Sequence, residues 1–197
     1  MRPLLYVWPY ALVFWSVFVW AFVPEFRIIA RARRSVRQPH SPDAGSCRVL
    51  TVGMWIAFMV AFPLAWARPL QFGPLARVPV LLAGTLVLAL GSLLRRHCWR
   101  MLGPLFTGDV QAQARQEVVS RGAYAYVRHP SYTAGILMYT GTGLALGNWG
   151  STLVLIVVSL AVYSYRMTVE ERALLAAIGE PYREYMRTRK RLVPYVY

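Results

Sequence analysis

The sequence predicts an all-α integral membrane protein of about five transmembrane helices, ending in a helical hairpin. Three observations carry that prediction. Hydrophobic residues make up 57% of the 197-residue chain and charged residues only 15%, against roughly 45–50% and 25% in ordinary globular proteins, so too few charges remain to cover a water-facing surface. The apolar residues gather into five runs separated by polar or basic stretches. The net charge of +14 is distributed very unevenly between those stretches.

The first run, Leu4 to Val23, holds twenty uncharged residues, about the number needed to cross a hydrocarbon core of roughly 30 Å as a helix. Arg2 before it invites comparison with a signal peptide. However, the bulky Trp20-Ala21-Phe22-Val23-Pro24 offers no small-residue cleavage site, and the run reads as a retained span. The second runs from about Val49 to Ala67, with a kink expected at Pro63. The third, Val78 to Leu94, gives way abruptly to Arg95-Arg96-His97. Ser131–Leu146 and Ser151–Tyr165 are joined only by Gly147-Asn148-Trp149-Gly150, which makes them an antiparallel helical hairpin. Both are short for a full crossing, so one or both should extend into polar sequence. The last has no helix breaker until Gly179, a good C-terminal cap.

Charge gives an independent reading of topology. Residues 24–48 hold six basic side chains, 95–130 six more, and the segment after Tyr165 seven, so 19 of 22 fall on one side of a five-span chain. The other side keeps Arg2, Arg68 and Arg77, while all eight acidic residues lie with the majority. The positive-inside rule then puts the N-terminus outside and the C-terminus in the cytoplasm; in a bacterium the membrane would be the inner one. The same distribution excludes nucleic-acid binding as the reason for the charge, since a duplex binder gathers its basic residues on one soluble face. Topology and anionic lipid headgroups account for them. Two cysteines, Cys47 and Cys98, make neither a disulfide framework nor a complete thiolate metal site, and no metal is expected.

Chemistry belongs on the basic side, which holds every acid and all three histidines. There, Tyr124, Tyr126, Arg128, His129, Pro130, Ser131 and Tyr132 are packed into nine residues. An interfacial aromatic belt explains Tyr126 and Tyr124 but not Arg128-His129-Pro130-Ser131-Tyr132, because His and Pro have no belt preference. Pro130 suits the first turn of a helix, whose amides would favour a carboxylate. Arg166 and Glu170, four residues apart, share a helix face; they read either as an exposed ion pair or as a cationic and an anionic anchor for a ligand. Gly141, Gly143 and Gly147 lie inside an apolar run with no preceding strand, so they suit close helix packing rather than a dinucleotide loop. His97, Cys98 and His40 have no neighbouring ligands in sequence.

The series Gly122, Tyr124, Tyr126, Arg128-His129-Pro130-Ser131-Tyr132, followed by a hairpin and then Glu170-Glu171, Leu174, Gly179, Tyr182 and Tyr185, resembles the isoprenylcysteine carboxyl methyltransferase family. Related phospholipid and thiol methyltransferases of the membrane share this core. The resemblance covers about residues 101–194, and it divides the chain into three N-terminal transmembrane helices (1–100) and a methyltransferase core (101–197). It implies an S-adenosylmethionine-dependent enzyme without a Rossmann domain, whose cofactor lies in a cytoplasmic pocket closed by the tail. By this resemblance the cofactor site comprises Gln116, Glu117, Val118, Val119, Tyr124, His129, Pro130, Ser131, Tyr132 and Glu170. Arg166 would be the catalytic and substrate-binding residue. Gln116-Glu117 stands where the family commonly has histidine.

The acceptor implied is lipophilic, most like an isoprenylcysteine or isoprenoid carboxylate drawn from the membrane. A carboxylate needs no general base to accept a methyl group. A phospholipid amine or a thiol is the alternative acceptor, for which His129 or Glu170 would take the proton. An NADPH-dependent sterol reductase-like enzyme and a lipid-binding adaptor remain as readings from other classes.

Overall fold

A computed structural model describes residues 2–35, 45–103 and 118–194. Its helices are α1 (Tyr10–Ser35), α2 (Ser46–Leu64), α3 (Arg77–Leu102), α4 (Pro130–Ala145), α5 (Trp149–Ile178) and α6 (Glu180–Thr188). Four of them, α1, α2, α3 and α5, are long and apolar enough to cross a membrane. With the 16-residue α4 they form the expected five-helix bundle, and the chain is an integral membrane protein.

The element boundaries refine the sequence reading. The chain from Leu4 to Tyr6 is a 3-10 turn, and α1 begins only at Tyr10 but continues to Ser35. Pro63 lies inside the last turn of α2, which ends at Leu64. Helix α3 continues beyond the apolar run, through Arg95-Arg96-His97 to Leu102, and Arg95 meets a counter-charge, Glu25 of α1, inside the bundle. Of the two short hairpin runs, α5 is the one that extends. It reaches Ile178, and Gly179 follows with φ 75°, a backbone conformation that suits glycine.

The helices do not pack in sequence order. Helix α3 lies between α1 and α4, α4 packs on α5, and α5 on α2. The tightest approach joins α3 to α4, where Gly84 faces Gly141 and a methyl group on either would overlap the other helix's backbone. Small residues permit this in a membrane, where dispersion rather than hydrophobicity drives association. Aromatic rings fill the seam between α1 and α2: Trp15 stacks on Phe62 at 5.9 Å, and Phe22 meets Phe58 at 5.6 Å. Tyr139 of α4 adjoins both Phe22 and Phe58 from behind.

The end of the bundle bearing the α4–α5 link is tied by Asn148. Its side-chain oxygen caps α5 by accepting from the Ser151 amide (3.0 Å), and its Nδ2 donates to the carbonyls of Leu64 and Ala67. The opposite end gathers the last turns of α1 and α3, the first turns of α2 and α4, and the polar extension of α5.

Candidate functional site

Two short stretches build the site from opposite sides. The first is the approach to α4. Residues Gly122–Ala125 make a 3-10 turn, and Pro130 opens α4 at a position where its missing N–H costs nothing. The second is the polar half of α5, where helical periodicity puts Arg166 and Glu170 on one face.

Between them stands Tyr132. Its hydroxyl donates to Glu170 Oε2 at 2.5 Å and accepts from Arg166 Nε at 3.2 Å. The phenol therefore bridges the two residues that the sequence suggested as an ion pair. The Arg166 Nη1 continues to Ser46 Oγ, 2.9 Å away at the start of α2. Arg166 is only 5% exposed, whereas the Glu170 side chain is 30% exposed. A buried, hydrogen-bonded cation thus stands behind a carboxylate that solutes can reach.

The tyrosine and histidine rings make the walls. Tyr132 lies 5.4 Å from the His129 ring and 5.0 Å from Tyr163. Tyr163 in turn covers Gly135, where no side chain would fit. Tyr124 is buried, and burial, with the nearby Cys98 and Glu170, holds its phenol well above the usual range. It stays neutral at physiological pH. Of the first-turn residues, Ser131 offers its carbonyl and hydroxyl to Arg95, while the amides of Tyr132 and Thr133 donate to the His129 carbonyl.

Glu171, one residue beyond Glu170, belongs to a separate cluster. Its buried carboxylate meets His129 Nε2 at 3.0 Å, Arg128 Nε at 3.1 Å and Arg191 Nη2 at 2.7 Å. A carboxylate only accepts, so the His129 Nε2 facing it carries the hydrogen. The tail is bound alongside. The amides of Arg128 and His129 donate to the carbonyls of Lys190 and Arg191, and the Thr133 hydroxyl donates to that of Leu192. Arg128 Nη1 reaches the carbonyls of Met186 and Arg189 at the end of α6, where a cation is favoured. Tyr185 donates to the Tyr124 carbonyl at 2.6 Å, and burial pushes its phenol up to about 12.

Of the sequence-nominated residues, Tyr124, His129, Pro130, Ser131, Tyr132, Arg166 and Glu170 are therefore close together at one end of the bundle. Val118 and Val119 are half-buried nearby in sequence. Gln116, Glu117 and His40 lie outside the described residues. No metal-binding cluster of histidine, cysteine or carboxylate occurs among the described residues. Sequence reasoning missed Ser46, Glu25 and Arg191, whose partners are 70 or more residues away for the first two and a helix away for the third. The Glu-Glu pair itself was the available signal for a second cluster, since adjacent helix positions point about 100° apart.

Fold and side-chain geometry together define a polytopic membrane protein, helical throughout its described elements, with charged and aromatic side chains gathered at one end of its bundle. Residues 80–180 match the family model for phospholipid methyltransferases, and the chain belongs to that family. Among curated proteins it is similar to the protein-S-isoprenylcysteine O-methyltransferase of Schizosaccharomyces pombe, 37% identical over 100 residues that cover 50% of this chain and 42% of the relative. It is also similar to protein-S-isoprenylcysteine O-methyltransferase B of Arabidopsis thaliana, 30% identical over 57% of this chain and 58% of the relative. The chain thus spans about half the length of the curated relatives it matches. The fold is shared with a solved eukaryotic intramembrane Ras methyltransferase, the isoprenylcysteine carboxyl methyltransferase ICMT. That match has a TM-score of 0.69 and 23% identity, covering 98% of this chain and 70% of the other. The likeness drawn from the Gly122–Tyr185 series is borne out.

Proposed function

We propose that this protein transfers a methyl group from S-adenosylmethionine to a carboxylate on a lipophilic acceptor, of the isoprenylcysteine or isoprenoid kind. The observation that carries the reading is the Tyr132 hydroxyl shared between Arg166 and Glu170. It draws the α4 start and the α5 extension, which hold the most specific part of the family series, into one polar site.

The donor set fits the cofactor. Its ammonium or ribose hydroxyls suit the exposed Glu170 carboxylate. The stacked rings of Tyr132 and His129 suit a cationic sulfonium. The anion seat at the α4 start narrows to the Ser131 amide, because those of Tyr132 and Thr133 are engaged within the turn. Val118, Val119, Tyr124 and Pro130 would line the remaining wall, with Gln116 and Glu117 preceding it in sequence. When bound, the cofactor supplies an electrophilic methyl group. Arg166, whose Nε and Nη1 are engaged by Tyr132 and Ser46, would attract and orient the acceptor carboxylate by its charge, and orientation would supply most of the acceleration.

A carboxylate acceptor needs no base. An amine or thiol acceptor would need one, and His129 Nδ1, on the ring whose Nε2 faces Glu171, and the exposed Glu170 carboxylate are the groups that could take the proton. The prenylated or lipid acceptor would reach the site from the membrane. By the charge distribution, the site and the C-terminal segment would face the cytoplasm, with residue 1 outside; reporter fusions at each end test that orientation, and a cytoplasmic N-terminus would overturn it. Titration of detergent-solubilised protein with S-adenosylhomocysteine and, separately, NADPH tests the class. Binding of S-adenosylhomocysteine with radiolabelled methyl incorporation into a prenylcysteine analogue is expected. Binding of NADPH alone would favour a reductase instead.

A further inference from the structure

We propose that Arg95 and Glu25 are a positioning pair that sets the start of α4, and through it the alignment of Tyr132 in the site. This rests on the methyltransferase reading given above.

The starting point is Pro24, inside α1. Proline has no N–H, so the Trp20 carbonyl four residues earlier loses its helical donor. Helix α3 supplies the replacement: Arg96 Nη2 donates to Trp20 O at 2.6 Å, with the guanidinium 4.5 Å from the Trp20 ring. Its neighbour Arg95 meets α1 one residue beyond the proline. The Nε and Nη2 of Arg95 engage both oxygens of Glu25, the second at 3.0 Å. Its remaining Nη1 donates to the Ser131 carbonyl at 2.6 Å and to the Ser131 hydroxyl at 3.0 Å.

One planar group therefore fixes three helices relative to each other. Helices α1 and α4 touch little directly, and the Arg95 fork sets their relation where α4 begins. Arg95 is 7% exposed and the Glu25 side chain 13%. A buried ion pair of this kind is weak support for stability, since apolar residues of similar volume often serve as well. Its geometric content is not replaceable in that way. Ser131 directly precedes Tyr132, so any shift of the first turn moves the phenol away from Arg166 and Glu170. A displacement of about 1 Å in an aligned site can reduce turnover by roughly a hundredfold.

The test compares the parent with the Glu25→Met/Arg95→Met double variant, both full length in the same detergent. The apolar pair should keep the thermal midpoint within about 3 °C of the parent. Backbone amides in peptides spanning 128–138 should exchange at least about tenfold faster, while those in 139–146 stay as before. In turnover, kcat should fall by about thirtyfold or more, with KM for the acceptor within about threefold. Arg95→Lys keeps the charge but cannot serve Glu25 and both Ser131 oxygens together, so it should share the fall in kcat to a smaller degree. Parent-like kcat and exchange in the double variant overturn the proposal. So does a fall in kcat accompanied by a comparable collapse of the thermal midpoint, the mark of a merely structural pair. A parent that transfers no methyl group counts against the methyltransferase reading instead, while the exchange measurement still decides whether Arg95 anchors α4.

Discussion

Glu170 and Glu171 are consecutive residues on one helix, yet they stand in different regions. Glu170 faces Tyr132 and Arg166, with nearly a third of its side chain accessible. Glu171 is buried among His129, Arg128 and Arg191, where it joins the approach to α4 to the C-terminal tail. The difference follows from helix phase, which turns adjacent side chains about 100° apart. One carboxylate is left available to a ligand, and the other is consumed in holding the chain that surrounds it. Carboxylate chemistry alone does not make a binding residue; the number of cations already engaged determines what remains to offer.

The largest expected effect breaks the closed region. Glu171→Gln leaves Arg128 and Arg191 without their shared counter-charge in a buried place, and breaking such a cluster costs roughly 3–5 kcal/mol. Thermal unfolding in detergent should show a clearly lowered midpoint, and limited proteolysis should release the tail. If cofactor affinity fell while the tail stayed protected, Glu171 would belong with the ligand site and the comparison would fail.

The next effect falls on the open region. Arg166→Lys keeps the charge but loses the planar fork that holds the Tyr132 hydroxyl and Ser46 at once. Methyl transfer should fall by about a hundredfold, with S-adenosylhomocysteine affinity within roughly threefold of the parent. Paired titration and radiolabel assays on one preparation measure both. A variant that turns over like the parent would assign Arg166 to topology alone.

A smaller change is expected for Glu170→Ala, which removes the exposed carboxylate. Cofactor binding should weaken by tenfold or more, about 1.5–3 kcal/mol for a lost charge-assisted bond. The thermal midpoint should barely move, in contrast to Glu171→Gln. Unchanged affinity in a folded variant would remove Glu170 from the site.

The smallest effect sharpens the description of the tail. Tyr185→Phe deletes the bond from the phenol to the Tyr124 carbonyl, worth about 1 kcal/mol. Burial raises the Tyr185 pKa from 10.0 to about 12, so folding favours the neutral phenol. The stability this adds is fully present below pH 10 and is lost as pH rises toward 12. The parent and Tyr185→Phe should therefore converge in stability over that interval, as thermal melts at stepped alkaline pH would show.

Much of this was legible in the chain itself. Apolar run length gave the helices, because crossing a membrane demands a minimum number of helical residues. Pro130 announced the α4 start, and the absence of a breaker before Gly179 announced the long α5. Helical periodicity put Arg166 and Glu170 on one face, though not the Tyr132 hydroxyl between them. The partner of Arg95 was not legible, because Glu25 lies 70 positions away. Nor could spacing reveal which of two adjacent glutamates the tail would claim.

The sequence by itself determined the bundle's composition, the helix start at Pro130 and the helix end before Gly179, and the residue types gathered at one membrane boundary, since these follow from local propensity and solvation by lipid. Only the tertiary structure decided the partnerships: Arg95 with Glu25 and Ser131, Arg166 with Ser46, Glu171 with the tail. Those bonds join helices out of sequence order, and their existence depends on helix rotation and on the close glycine contact of α3 with α4. A few degrees of rotation about a helix axis alters no propensity, yet it changes which charge finds a partner and which remains for a ligand.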